Sequence, residues 1–222
     1  MRKWGIVISV LYALIVLGLL LPALGLLAES FGPADFFEHL KNGYKLSASW
    51  MLVVAVVSGQ VILLFLSVDT SFKRLRPRAH VAVTCIVASM FFALLAFAAI
   101  YSLAVAVPGD TFLDKLPTDM APAMGFGAML WLLWGIFFYI YVRNSIAVVT
   151  RAVSWLLKGS VLELLIAVPC HVIVRRRGEC SAPIVTSYGI VTGIAVMLLS
   201  FGPSVLLLYK KRLDSYSTRN AK

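Results

Sequence analysis

Charge is scarce in this sequence. Asp, Glu, Lys and Arg make up only 14% of its 222 residues, against about one quarter in soluble domains. That leaves too little polar surface to cover a soluble fold of this size. Cysteine is scarce as well. Cys85, Cys170 and Cys180 form an odd, small set, which points away from a disulfide framework. The histidines are His39, His80 and His171. None lies in the middle of a predicted span, so bis-histidine haem ligation inside a bundle is not expected. P-loop, GxSxG, HExxH and paired CxxC patterns are absent. The polar stretches are too short for a soluble catalytic or nucleic-acid-binding domain. Catalysis is therefore not expected, and nucleic acid is not an expected partner. There is no internal repeat, low-complexity tract or organelle-targeting segment.

What the chain has instead is apolar length. Hydrophobic residues make up 61% of it, so lipid must replace water around much of the surface. The expected fold is all-α, a single polytopic membrane domain over residues 1–222. Five runs, at 4–27, 47–68, 80–107, 120–142 and 184–209, each reach the ~20 residues needed to cross a bilayer. The first is too long for a signal peptide and lacks a small-residue cleavage site. Gly18, Pro22 and Gly25 are expected to kink its outer half. After it, Pro33 and Gly43 bracket a short surface helix whose Phe36, Phe37 and Leu40 suit the headgroup region. Gly202-Pro203 is expected to interrupt the distal end of the last run.

Residues 144–182 are ambiguous. Asn144, Thr150, Arg151, Ser154 and Lys158 fall on one side at helical spacing, with Ile146, Val149, Val153, Leu156 and Leu157 on much of the rest. That pattern predicts a cytoplasmic interfacial or re-entrant helix, ended near Val168 by Pro169. The alternative is a sixth span over 155–174. The two readings divide the basic residues differently. Five spans place twelve inside and eight outside, six spans fourteen and six, so the positive-inside rule prefers six. The cost of a carboxylate at Glu163 near mid-bilayer, roughly 2.5 to 3.5 kcal/mol, prefers five. The five-span reading is adopted, with the N-terminus cytoplasmic and a plasma (inner) membrane as the default location.

Few residues offer chemistry. Cys170, His171, Cys180 and His80 carry metal-ligand side chains, all on the cytoplasmic face if there are five spans. A transition metal is the only cofactor they suggest, and the spacing matches no familiar finger. Structural, buried cysteine is the competing reading. Gln60 is the most polar residue deep in a span, either a helix–helix hydrogen bond or a pore-lining group. Glu163 is a functional candidate if embedded. At the interface it would be solvated or paired with Lys158. Gly189 and Gly193 form GxxxG, and Ala121/Gly125 and Ala123/Gly127 repeat small-xxx-small, which are packing seams. Trp131, Trp134, Phe138 and Tyr141 read as an interfacial aromatic belt.

Spans without buried charge, small-residue seams and a basic interfacial segment predict a non-catalytic accessory or assembly subunit. Its partners would be the lipid bilayer and other membrane subunits or further copies of itself. The alternatives are a transporter or channel for an uncharged or lipophilic solute, lined by Gln60, Ser58, Thr84 and Ser89, and a metal- or thiol-dependent redox protein.

Overall fold

The computed structural model describes residues 2–28, 36–45, 47–69, 78–108, 121–142, 148–178 and 182–220. Among them every regular element is a helix. The first apolar run begins as α1 (Arg2–Ile15), widens into a π turn over Val16–Leu20, and resumes as α2 (Leu21–Ala28). Pro22 explains the break, because it has no N–H to donate. In the π turn the Leu21 N–H bonds to Val16, five residues back. The Leu17 carbonyl would then need the N–H of residue 22, which proline lacks. The Tyr44 hydroxyl donates to it instead, at 2.6 Å. The turn falls where a kink is expected, with Gly18 inside it and Pro22 just after it.

Tyr44 lies on α3 (Phe36–Lys45). This short helix docks on α2 through two glycines. A Cβ on Gly25 would run into the His39 carbonyl, and one on Gly43 into the Leu21 carbonyl, so backbone meets backbone. Phe37 is exposed and Leu40 half-buried, while the Phe36 side chain lies outside the described residues.

Four longer runs follow as α4 (Ser47–Asp69), α5 (Arg78–Ala106), α6 (Ala121–Val142) and α7 (Val148–Arg177), and the last is α8 (Ala182–Asn220). Counting α1–α2 as one, six helices are long and apolar enough to cross a membrane. This is a multi-pass helical membrane protein. The helices alternate in direction, so Ala28, Ala106 and Arg177 gather at one end, called here the upper end. Arg175 donates to the Leu26 and Leu27 carbonyls, and Arg177 to those of Ala106 and Val107. Both guanidinium groups cap helix C-termini, where carbonyls lack partners and the dipole favours cations.

Residues 148–177 therefore depart from the interfacial or re-entrant reading. They form one helix of 30 residues, roughly 45 Å at 1.5 Å per residue. Pro169 does not end it. Proline deprives only the Leu165 carbonyl of its donor, and Leu165 and Pro169 both sit on the outward surface. Membrane helices tolerate such a loss when the remaining turns are held by neighbours. The neighbours here are α5 and α8, which cover a stripe at helical spacing from Val149 through Leu156, Glu163 and Ala167 to Val174. The polar side expected at the interface is present only in the first turns, where Thr150, Arg151, Ser154 and Lys158 are exposed. Above them the exposed face turns apolar at Val161, Leu162, Leu165 and Val172. Likewise, α8 runs unbroken through Gly202-Pro203 to Asn220.

The central helix is α8. Within its apolar span 61% is buried, against 6% for α6, which leans on α5 from outside. Tyr12 donates to the Ala195 carbonyl and Ser49 shares a hydrogen bond with Tyr188, tying α1 and α4 to α8. Phe92 of α5 packs tilted against Trp134 and edge-on to Phe138 of α6.

Candidate functional site

Glu163 stands midway along α7 and is 2% exposed. Neither carboxyl oxygen has a hydrogen-bond partner. Lys158 does not reach it, for its ammonium sits 5.9 Å over the Trp155 ring. The solvated or Lys158-paired state expected of an interfacial residue is thus not found. Five residues turn a helix by about 140°, which puts Lys158 on a different face.

Three helices build the pocket around this carboxyl. From α8 come Gly189 and Gly193, the GxxxG pair. A Cβ on Gly193 would coincide with Glu163 Oε2, and one on Gly189 would lie 3.2 Å from Oε1. The missing side chains are the space the carboxyl occupies. From α5 comes Ser102, whose Oγ would lie 2.7 Å from that same Gly189 Cβ. Ser102 is fully buried, and its hydroxyl too has no partner. Two unsatisfied oxygens, Ser102 Oγ and Glu163 Oε1, thus lie beside Gly189, and the third, Oε2, lies at Gly193. A buried polar group without a partner costs on the order of 1–3 kcal/mol, more if charged. A carboxyl in such a place needs a proton, a cation or a donor to complete it.

Above this site the seam between α7 and α8 stays polar. His171, two turns beyond Glu163, places Nδ1 2.8 Å from Thr186 Oγ1. The Thr186 hydroxyl also reaches back to the Ala182 and Pro183 carbonyls. Below it lie Leu156, Val196, Leu199 and Phe92, with the buried Ser160 and Ser200 hydroxyls each bonded to a carbonyl of its own helix.

Gln60 of α4 is a second buried polar group. It is 1% exposed, and both its amide atoms lack partners. Its Nε2 faces Gly202 of α8, where a Cβ would come within 2.5 Å, beside Ile8 of α1. Gly193 and Gly202 are nine residues apart, about 180° around a helix. Gln60 and Glu163 therefore lie on opposite sides of α8 and form separate sites. The hydroxyls expected to join Gln60 do not. Ser58 is exposed and bonds to the Ala55 carbonyl, and Ser89 bonds to the Ile86 carbonyl, each within its own helix. Thr84 is buried on α5.

Of the expected metal ligands, His80 is held far from Cys170 and His171. Cys170 packs among Val105, Ala106, Val174 and Ala182 at the upper end. His80 belongs to the first turn of α5, with its side chain outside the described residues. From residue 80 to Ala106 the helix rises roughly 39 Å, too far for His80 to join Cys170 and His171. Cys180 lies outside the described residues. Among those described, no three His, Cys, Asp or Glu side chains cluster.

Of the small-residue seams, only GxxxG on α8 packs tightly. On α6 a Cβ at Gly125 meets nothing within 4 Å, and one at Gly127 only Phe97 at 3.9 Å. The aromatic run on α6 is more than a belt, because Trp134 and Phe138 pack on Phe92 and Phe137 and Tyr141 edge onto Trp155. Ser102 and Thr186 carried no signal in the sequence beyond being polar in apolar runs.

No family model, curated protein or solved structure matches the chain.

Proposed function

We propose that the protein is an ion-linked membrane transporter in which Glu163 exchanges a proton or small cation. One observation carries the reading: a carboxyl at mid-helix, buried among three helices, with both oxygens unpartnered. Groups of this kind are costly inside a bundle and mark ion or proton pathways. The same observation removes a premise of the accessory-subunit reading, which rested on spans free of buried charge.

The test is proton movement in liposomes. The purified protein is reconstituted around an entrapped pH-sensitive dye, and a potassium diffusion potential drives uptake. Wild type is expected to carry protons and Glu163→Gln to carry none. Equal flux in the two would sink the reading.

A second reading is favoured by α6. Its span is hardly buried, and Leu132, Ile136, Tyr139 and Ile140 are exposed along it. A further membrane subunit or another copy of this chain seated there would make the protein an accessory or assembly subunit. Gentle extraction followed by native mass measurement separates this from lipid alone on that face.

A plasma membrane is the proposed location. A cytoplasmic lower end agrees with the charge rule, since fourteen of the basic residues lie at or near that end in a six-span order.

A further inference from the structure

We infer that the exchanged ion is a proton, and that His171 relays it between Glu163 and the upper end of the bundle. This rests on the transport reading above and adds to it the ion, the route and the side of access.

The ion follows from the donors. A metal cation held by hard oxygen ligands takes several of them, six or so for the common divalent ions. Along Gly189 and Gly193 there are three side-chain oxygens from two residues, Glu163 and Ser102. The carboxyl fills the glycine notch itself, so no room is left beside Gly193 for a coordinated ion. A proton needs one oxygen and no room.

The route follows from the seam. On α7, Glu163, Ala167 and His171 are spaced four residues apart and buried. On α8, Thr186, Gly189 and Gly193 face them. Glu163 and His171 are thus about 12 Å apart along the axis. Ser102 and Thr186 supply hydroxyls on the way, and the relay requires one or two waters to enter the seam between them. The Thr186 hydroxyl can donate to the Ala182 or Pro183 carbonyl and accept from His171 Nδ1–H. Nε2 is then the nitrogen that takes the proton.

The step balances simply. Glu163 loses a proton and becomes a carboxylate. His171 gains it at Nε2 and becomes imidazolium, and loss of that proton to water restores the neutral ring. No heavy-atom bond changes and no electron moves.

The side follows from what lies beyond each end. Downward, Leu156, Val196, Leu199 and Phe92 are apolar, and the buried Ser160 and Ser200 hydroxyls are each turned onto a carbonyl of their own helix. Among the described residues no Asp, Glu, His, Lys or Arg side chain is buried there. Upward, His171 is one turn from Arg175, whose guanidinium is held by the Leu26 and Leu27 carbonyls. Arg175 is the only charged group on α7 near that face. Residues 81–108 of α5 and 182–204 of α8 contain no Asp, Glu, Lys, Arg or second His. Next to α8, α2 contains none either. α3, with Glu38, His39 and Lys41, packs on α2 and α4.

The experiment uses dicyclohexylcarbodiimide, an apolar reagent that attacks protonated carboxyls within membranes. In proteoliposomes of known orientation, the pH is stepped on one side and labelling of Glu163 is followed by mass spectrometry. Wild-type labelling is expected to track the pH at the upper end. His171→Ala is expected to slow that response by about a hundredfold, the usual scale of a lost proton-transfer group, and added imidazole to restore it. His171→Gln keeps a hydrogen-bonding side chain toward Thr186 and is expected to be as slow, which guards against misfolding of the alanine variant. Unchanged rates in both variants, or labelling that tracks only the lower side, would overturn the relay and leave the transport reading standing. Labelling of Glu163 that ignores pH on both sides would overturn the transport reading itself.

Discussion

Glu163 is where stability and use conflict. A carboxyl with no partner is expected to weaken the fold, and its persistence at the centre of a bundle calls for a use. Glu163→Met keeps the length of the side chain and removes the unmet polar atoms, with a flexible thioether that adapts to the glycine notch. It is expected to stabilise the protein by about 1–3 kcal/mol, seen as a higher unfolding midpoint in detergent, while abolishing proton uptake. A lower midpoint would mean that the carboxyl supports the structure. The glycines beneath it make the converse case. Gly193→Ala puts a methyl group where Oε2 and the Leu164 side chain already are. Overpacking of this kind costs roughly 1–3 kcal/mol. Gly125→Ala, with nothing within 4 Å, is expected to be neutral or to stabilise by up to about 1 kcal/mol, because alanine favours the helix. Thermal unfolding of the two variants side by side checks the contrast.

At the scale of elements, the first helix and α3 form one unit. Pro22 removes a donor, the π turn moves the deficit to the Leu17 carbonyl, and Tyr44 fills it. A double-mutant cycle tests this chain of cause. Tyr44→Phe alone is expected to cost about 1 kcal/mol, the net worth of one hydrogen bond. In a Pro22→Ala background the backbone N–H returns, and the same change is expected to cost much less. Equal costs in both backgrounds would mean the residues are uncoupled. A similar exchange holds the upper end together. Arg175 and Arg177 look in sequence like a basic run exposed to a cytoplasm, yet they cap α2 and α5. Their charge is engaged by carbonyls at the upper end.

For the whole molecule, six helices long and apolar enough to cross would put both ends of the chain on one side. A reporter fused after Lys222 is expected to read the same side as one fused before Met1, and cytoplasmic in both cases. Opposite readings would restore the five-span topology and remove Glu163 from the bilayer. A cysteine placed at Asn144 is expected to be labelled from that same side.

Local properties were legible without the fold. Whether a stretch can cross a bilayer depends on summed transfer energies over about 20 neighbouring residues, so the membrane class, the first four spans and the beginning of the last could be read along the chain, as could a short helix bracketed by Pro33 and Gly43, which runs past Gly43 to Lys45. The bias of basic residues toward six spans was legible too. It was set against the cost of burying Glu163, and that cost could not be judged from the sequence. It depends on Gly189, Gly193 and Ser102, which lie on other helices and signal nothing by themselves. The same holds for Gln60 beside Gly202, for His171 on Thr186, and for the separation of His80 from Cys170. Composition determined that this chain lives in lipid. Only the packing of α5, α7 and α8 decided that a carboxyl lives there with it, because the environment of one buried group is made by residues distant in sequence.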